Sequence, residues 1–137
     1  MRIVVNAFMS LDGVVQAPGG AAEDVDGGFA HGGWSVPYFD LDVMGAEVAA
    51  GMETTDALLF GRRTWRAMAD AWPERAGDPY ADQMNALPKH VASRTLAASD
   101  MRWNSTLLPA DRTLEAIADL RRQEGRDVVA WGSPTLV

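Results

Sequence analysis

The sequence predicts an α/β domain of three layers, with helices covering both faces of a mainly parallel sheet. Three observations predict it. Short apolar runs rich in β-branched side chains recur along the chain, stretches with helical spacing of apolar residues stand between them, and glycines mark the junctions Phe60-Gly61-Arg62 and Trp131-Gly132-Ser133, where strand patterns give way to helix or turn patterns. The 137 residues, 47% hydrophobic and 23% charged, suit one domain over residues 1–137 with a single core.

Residues 2–9 (RIVVNAFM) read as the first, largely buried strand, ended by the Asp12-Gly13 turn signal, with Val14 and Val15 able to extend it. From Ala17 to Trp34 glycine, proline and acids leave few core residues, the composition of a functional or mobile loop. Residues 38–51 place Phe39, Val43, Met44, Ala46, Val48 and Ala49 at helical steps, with Gly51 as the stop. Ala57-Leu58-Leu59-Phe60 is a second buried strand closed by Gly61, and Arg62 to Met68 opens a helix. A short helix is expected over 79–86, a strand over 90–93 and another within 100–108. Asp111 is the expected cap of a helix carrying Leu114, Ile117, Ala118 and Leu120 on one face, with Gly125 as its stop. Residues 127–131 form the last strand, and Gly132-Ser133-Pro134-Thr135 reads as a new helix start, Ser133 capping and Pro134 at its first position.

Composition excludes several classes of function. Twelve Lys and Arg against 19 Asp and Glu give a net charge of -7, which repels nucleic acid. The absence of cysteine removes disulfides, thiolate nucleophiles and sulfur-bound zinc, and fits a reducing compartment, so the expected location is the cytoplasm. His31 and His90 stand alone, the Asp residues are scattered, and no metal is expected. No apolar run is long enough to span a bilayer, and the apolar start is broken by Asn6, Ser10 and Asp12, so neither a membrane nor a signal peptide is expected.

The chemistry concentrates at strand ends, where open α/β sheets bind ligands. At Gly61-Arg62-Arg63-Thr64 a glycine lets a phosphate approach the backbone, free helix amides favour its charge, and two guanidinium groups match its oxygens. Equally, Gly61 can be a tight turn beside solvated arginines. Gly132-Ser133-Pro134-Thr135 repeats the pattern with added hydroxyls, and the pair resembles a dinucleotide cradle, although simple capping explains each alone. At Ser93-Arg94-Thr95, Arg94 is placed to pair with a ribose 2′-phosphate, which selects NADPH over NADH; a surface arginine is the alternative. The five tryptophans read mainly as packing residues, with Trp34 the exception that can close over nicotinamide.

The segment Ala57-Leu58-Leu59-Phe60-Gly61-Arg62-Arg63-Thr64-Trp65 resembles the hydrophobic-Gly-Arg-x-Thr-Trp segment of dihydrofolate reductases, whose turn meets the cofactor pyrophosphate. Leu87-Pro88-Lys89-His90-Val91-Ala92-Ser93-Arg94 is similar to the segment entering that family's adenosine-binding strand, and Gly132-Ser133 stands in place of its Gly-Gly turn. Met9-Ser10-Leu11-Asp12-Gly13, His31-Gly32-Gly33-Trp34 and Met84-Asn85-Ala86-Leu87-Pro88 resemble the bacterial relatives of the riboflavin-biosynthesis reductase domain. The resemblance implies a dihydrofolate reductase-like fold and NADPH as cofactor. It departs at Ser133, which replaces a glycine, and after Val137, where family members continue; a fragment lacking its C-terminal strands is therefore expected, with a sheet edge open to partner pairing such as a homodimer.

By the same resemblance, Asp40, after Trp34-Ser35-Val36-Pro37, matches the carboxylate that assists protonation of a pterin, with Asp42 behind it and Asp12 as a second candidate. Their alternatives are a helix N-terminal acid and an Asp-Gly turn. The expected function is an NADPH-dependent reductase delivering a hydride to a small pterin-, aminopyrimidine- or flavin-like substrate, such as a 5-amino-6-(5-phosphoribosylamino)uracil. The alternative is a non-catalytic nucleotide-binding or regulatory protein of the same fold.

Overall fold

The apolar runs come together as one five-stranded, wholly parallel sheet in the computed structural model, which describes residues 1–137. The strands are β1 (Arg2–Asn6), β2 (Thr55–Gly61), β3 (Lys89–Ala92), β4 (Ser105–Leu107) and β5 (Asp127–Trp131), in the order β1-β5-β2-β3-β4. The helices are α1 (Ala46–Glu53), α2 (Arg62–Ala71), α3 (Pro79–Ala86) and α4 (Thr113–Arg122). The expected α/β architecture, a mainly parallel sheet between helices, is the one observed.

The chain divides into two compact units, Met1–Asn6 with Glu53–Val137, and Ala7–Met52. The first contains the whole sheet. Strand β5 is buried along its entire length, as the apolar run Val128-Val129-Ala130-Trp131 requires of a strand paired on both sides. On one face Ala57, Leu59, Val128 and Ala130 pack with Leu108, against Ala116 and Ile117 of α4. The alternation of strand side chains turns Leu58 and Phe60 to the other face, and α2 and α3 bury Trp65, Ala69, Ala81 and Met84. Each fully buried side chain of the size of Phe60 or Leu58 contributes about 1.5–3 kcal/mol through removal from water.

Several boundaries differ from the expectation, each for a local reason. Strand β1 ends at Asn6 rather than at residue 9, because its partner β5 ends opposite it at Trp131. Val14 does not extend it: Ser10 and Val14 instead close a tight loop around Asp12-Gly13, with the Val14 amide donating to Ser10 Oγ. The strand expected within 100–108 shrinks to Ser105–Leu107, since Trp103 and Asn104 both have left-handed backbones (φ 58° and 51°) that break an extended chain. Helix α4 starts at Thr113 with no side-chain cap, so Asp111 is not its cap, and it closes at Gln123, before Gly125.

The second unit is mostly irregular. Instead of one helix over 38–51, a π-helical turn over Leu41–Gly45 leads into α1, which runs through Gly51 to Glu53. The loop of residues 17–34 is closed on itself. The Gly33 amide donates to Ala17 O, the Ser35 amide and hydroxyl to Pro18 O, and the Trp34 indole N–H to Gln16 O. Its limbs approach so closely that a Cβ on Gly32 would lie 2.5 Å from Ala21 O, which restricts that position to glycine.

Candidate functional site

In the sheet order, β5, β2 and β3 are neighbours, and all strands run the same way. Their C-terminal ends therefore carry Gly132–Thr135, Gly61–Thr64 and Ser93–Thr95 side by side, at the rim where parallel sheets hold ligands. The three segments singled out as cofactor-binding in the sequence thus fall on adjacent strand ends, although Gly61 and Ser133 are 72 positions apart in the chain.

Gly61 is the N-cap residue of α2, extended at φ -77° and ψ 160°, and the helix start has no side-chain cap. An uncapped helix start presents amide donors and the positive end of the helix dipole, which suit a phosphate. Arg62 is half-buried, and Arg63 is exposed on the first turn. Thr64 does not cap the helix. Its Oγ1 accepts from the Ser133 amide at 3.2 Å, tying α2 to the turn after β5.

That turn is not the expected helix start. Gly132 and Ser133 both adopt left-handed backbones (φ 55° and 56°), whereas an N-cap residue needs an extended one. Ser133 is buried, and its hydroxyl accepts from the Gly61 amide at 2.9 Å while donating to the Trp131 carbonyl at 3.1 Å. The Gly132 amide donates to Asn6 O at 2.8 Å, which joins the end of β1 to the same rim. Pro134 and Thr135 are exposed beyond it. A Cβ on Gly61 would sit 3.7 Å from Ser133 Cβ and Oγ, ordinary contact, so the closeness of the two turns is bridged by hydrogen bonds rather than demanded by sterics.

At the third strand end, Ser93 Oγ accepts from the Thr95 and Leu96 amides, both at 3.1 Å, forming a compact turn. Arg94 projects from this turn exposed and without an ion pair, and Thr95 is exposed beside it. A glycine-bearing helix start thus lies next to a glycine-bearing turn, with an exposed guanidinium one strand away, a set of groups chemically suited to phosphate.

The catalytic candidates lie in the other unit. Asp40 is exposed, and its Oδ1 accepts from the Asp42 amide at 2.9 Å and the Val43 amide at 3.2 Å, so it caps the turn over Leu41–Gly45. Asp12 is exposed and accepts a 2.6 Å bond from Ser10 Oγ, which holds its carboxyl below the usual carboxylate range. That shift favours the ionised form, the opposite of what a proton donor at neutral pH requires. Trp34 is half-buried, with its indole N–H committed to Gln16 O.

Two features at or near the sheet were not singled out in the sequence. The Trp131 indole nitrogen, at the C-terminal end of β5, is buried without a hydrogen-bond partner, an uncommon state for a buried donor. Its signal was a polar-tipped aromatic at the end of an otherwise aliphatic strand. Lys89, at the start of β3, is completely buried, with Nζ donating to Asn85 O at 2.8 Å and lying 4.2 Å from the centroid of the Trp103 ring. Burial without a carboxylate lowers its pKa to about 8.

No cluster of three or more His, Asp or Glu side chains is arranged to hold a metal ion, and no helix is long and apolar enough to cross a membrane. Comparison with curated protein sequences returns no match. The family model described as the RibD C-terminal domain matches residues 1–137, the full described length, and this is the NADPH-dependent reductase domain of its family. With its parallel sheet, its flanking helices and the paired turns at the sheet's C-terminal rim, the chain belongs to the RibD C-terminal domain family.

Proposed function

We propose that the chain binds NADPH across the C-terminal ends of β5, β2 and β3 and reduces a small heteroaromatic substrate of the pterin, aminopyrimidine or flavin type. The observation that carries this reading is the adjacency of the Gly61 and Gly132 turns, cross-linked through Ser133 and Thr64. In it, the uncapped start of α2 and the turn Gly132–Thr135 receive the pyrophosphate, with Arg62 and Arg63 neutralising its charge. Arg94, with Ser93 and Thr95 shaping its turn, receives the 2′-phosphate. When bound, the nicotinamide supplies the hydride.

Asp40 is the proposed proton donor, and Trp34 the proposed cover for the nicotinamide, both on the family resemblance. The commitment of Asp40 to two backbone amides favours a second reading, a nucleotide-binding protein of this fold without turnover. Turnover of NADPH with a panel of pterins, flavins and aminopyrimidines separates the two: binding without oxidation of NADPH on any of them supports the second.

The cofactor assignment is tested with Arg94→Ala. Removing a guanidinium paired with phosphate is expected to weaken NADPH about tenfold or more, on the scale of a charge-assisted hydrogen bond, and to leave NADH nearly unchanged. Equal losses for both cofactors would remove Arg94 from the 2′-phosphate site.

A further inference from the structure

Strands β2 and β5 pair in parallel register, Leu58 opposite Val129 and Leu59 opposite Ala130, and the pairing stops there. The next bond of such a ladder runs from the Gly61 amide to the Trp131 carbonyl. Ser133 Oγ takes its place, accepting from the first at 2.9 Å and donating to the second at 3.1 Å. One hydroxyl is thus inserted between two strands where a direct bond belongs. The same residue's amide is fixed on Thr64 Oγ1 at 3.2 Å.

The backbone of Ser133 is left-handed (φ 56°), a conformation that glycine adopts freely and other residues only where their surroundings over-determine it. What serine adds at this position is its hydroxyl, and that hydroxyl is buried and has both its donor and an acceptor site committed to protein.

We propose that Ser133 is a positioning residue: its hydroxyl, wedged between the Gly61 N–H and the Trp131 C=O, sets the gap between β2 and β5 across which the dinucleotide pyrophosphate is held. This inference rests on the NADPH reading above. Ser133 does not contact the cofactor through its side chain. It holds the two turns at a fixed spacing, with Thr64 as the second point of attachment, so that the uncapped start of α2 meets the pyrophosphate without rearrangement.

The test titrates NADPH, NADH and adenosine 2′-phosphate into the parent chain and into Ser133→Ala, Ser133→Gly and Thr64→Val, and follows hydrogen exchange of the Gly61 amide without ligand. Ser133→Ala and Ser133→Gly are expected to weaken NADPH and NADH by the same factor, about tenfold. Adenosine 2′-phosphate, which has no pyrophosphate, keeps its affinity, and the Gly61 amide exchanges faster. Thr64→Val shifts both dinucleotides in the same direction and reports on the wedge if the Ser133 variants do not fold. Equal loss of all three ligands marks general damage and overturns the proposal. Unchanged dinucleotide affinity in the variants overturns the wedge and leaves the NADPH reading standing, whereas failure of the parent chain to bind NADPH defeats that reading and the proposal with it.

Discussion

Lys89 puts an ammonium group in the interior with no carboxylate, and this makes the stability of the sheet depend on pH in an unusual direction. The side chain is wholly buried, held by the Asn85 carbonyl and by the face of Trp103, while Asn85 is itself fixed by bonds to the Trp72 carbonyl and from the Trp103 indole. Desolvation brings the lysine from 10.5 in an unfolded chain to about 8 in the folded one. Below pH 8 both states carry the proton, and the folded state bears the full cost of the buried charge. Between about 8 and 10.5 the unfolded chain binds the proton and the folded one does not, so stability rises with pH, by about 1.4 kcal/mol per unit. From pH 8 to 9.5 the gain amounts to roughly 2 kcal/mol.

Tyr80 acts in the opposite sense, since burial raises it to about 12 and stability contributed by its neutral form is lost above pH 10; measurements therefore stop at pH 9.5. Urea unfolding followed by circular dichroism at half-unit intervals from pH 7 to 9.5, on the parent chain and on Lys89→Met, gives the comparison. Methionine fills a similar volume without a charge, so its profile lacks the rise, and the difference between the two chains isolates Lys89 from every other titrating group. Parallel profiles for the two chains would refute the buried-ammonium account.

At the acid end, the Arg2 guanidinium and Thr54 hold Asp127 below its ordinary value, and bonds from Arg126 do the same for Asp56. These carboxylates stabilise the fold above about pH 4 and cease to do so as pH falls through their lowered values, so Asp127→Asn is expected to reduce stability at pH 7 and to flatten the acid limb of an unfolding profile. Asp40→Asn retains a capping side chain, so the fold and cofactor affinity are expected to hold while turnover drops; equal turnover in the two chains across the pH range would take Asp40 out of the mechanism.

The parallel sheet was legible because β1, β2 and β5 are short apolar runs, and β2 and β5 are each closed by a glycine. At the β2 to α2 junction the expected strand Ala57-Leu58-Leu59-Phe60 falls inside β2, which runs from Thr55 through Gly61, and the helix starts at Arg62 as expected. What the linear pattern hid was set by partners far along the chain. Gly-Ser-Pro reads as cap and first helical residue, yet Ser133 is held left-handed through Gly61 and Thr64, contacts that exist only once β5 lies beside β2. Trp103 has no intrinsic preference for φ 58°, and its indole bond to Asn85 and its contact with Lys89 arise from packing. Asp40 was read as an acid on a helix; a shift of the helix start by a few residues makes it the cap. A completely buried lysine runs against the general tendency of the residue, and nothing around Lys89 in the sequence signals it.

The position of β5 has a consequence for synthesis. Of these five strands it comes latest in the chain, yet it lies between the first two, and β1 pairs with it alone. Until the ribosome has delivered Trp131, β1 has nothing to pair with and β2 has one apolar flank bare, while more than a hundred residues of chain must already be in place to close the gap. The β2-β3-β4 ladder needs no part of β5 and can form as those strands emerge, whereas β1 joins the sheet only through β5, so the nascent chain passes through a stage in which β1 and one edge of β2 stand unpaired and open to non-native pairing.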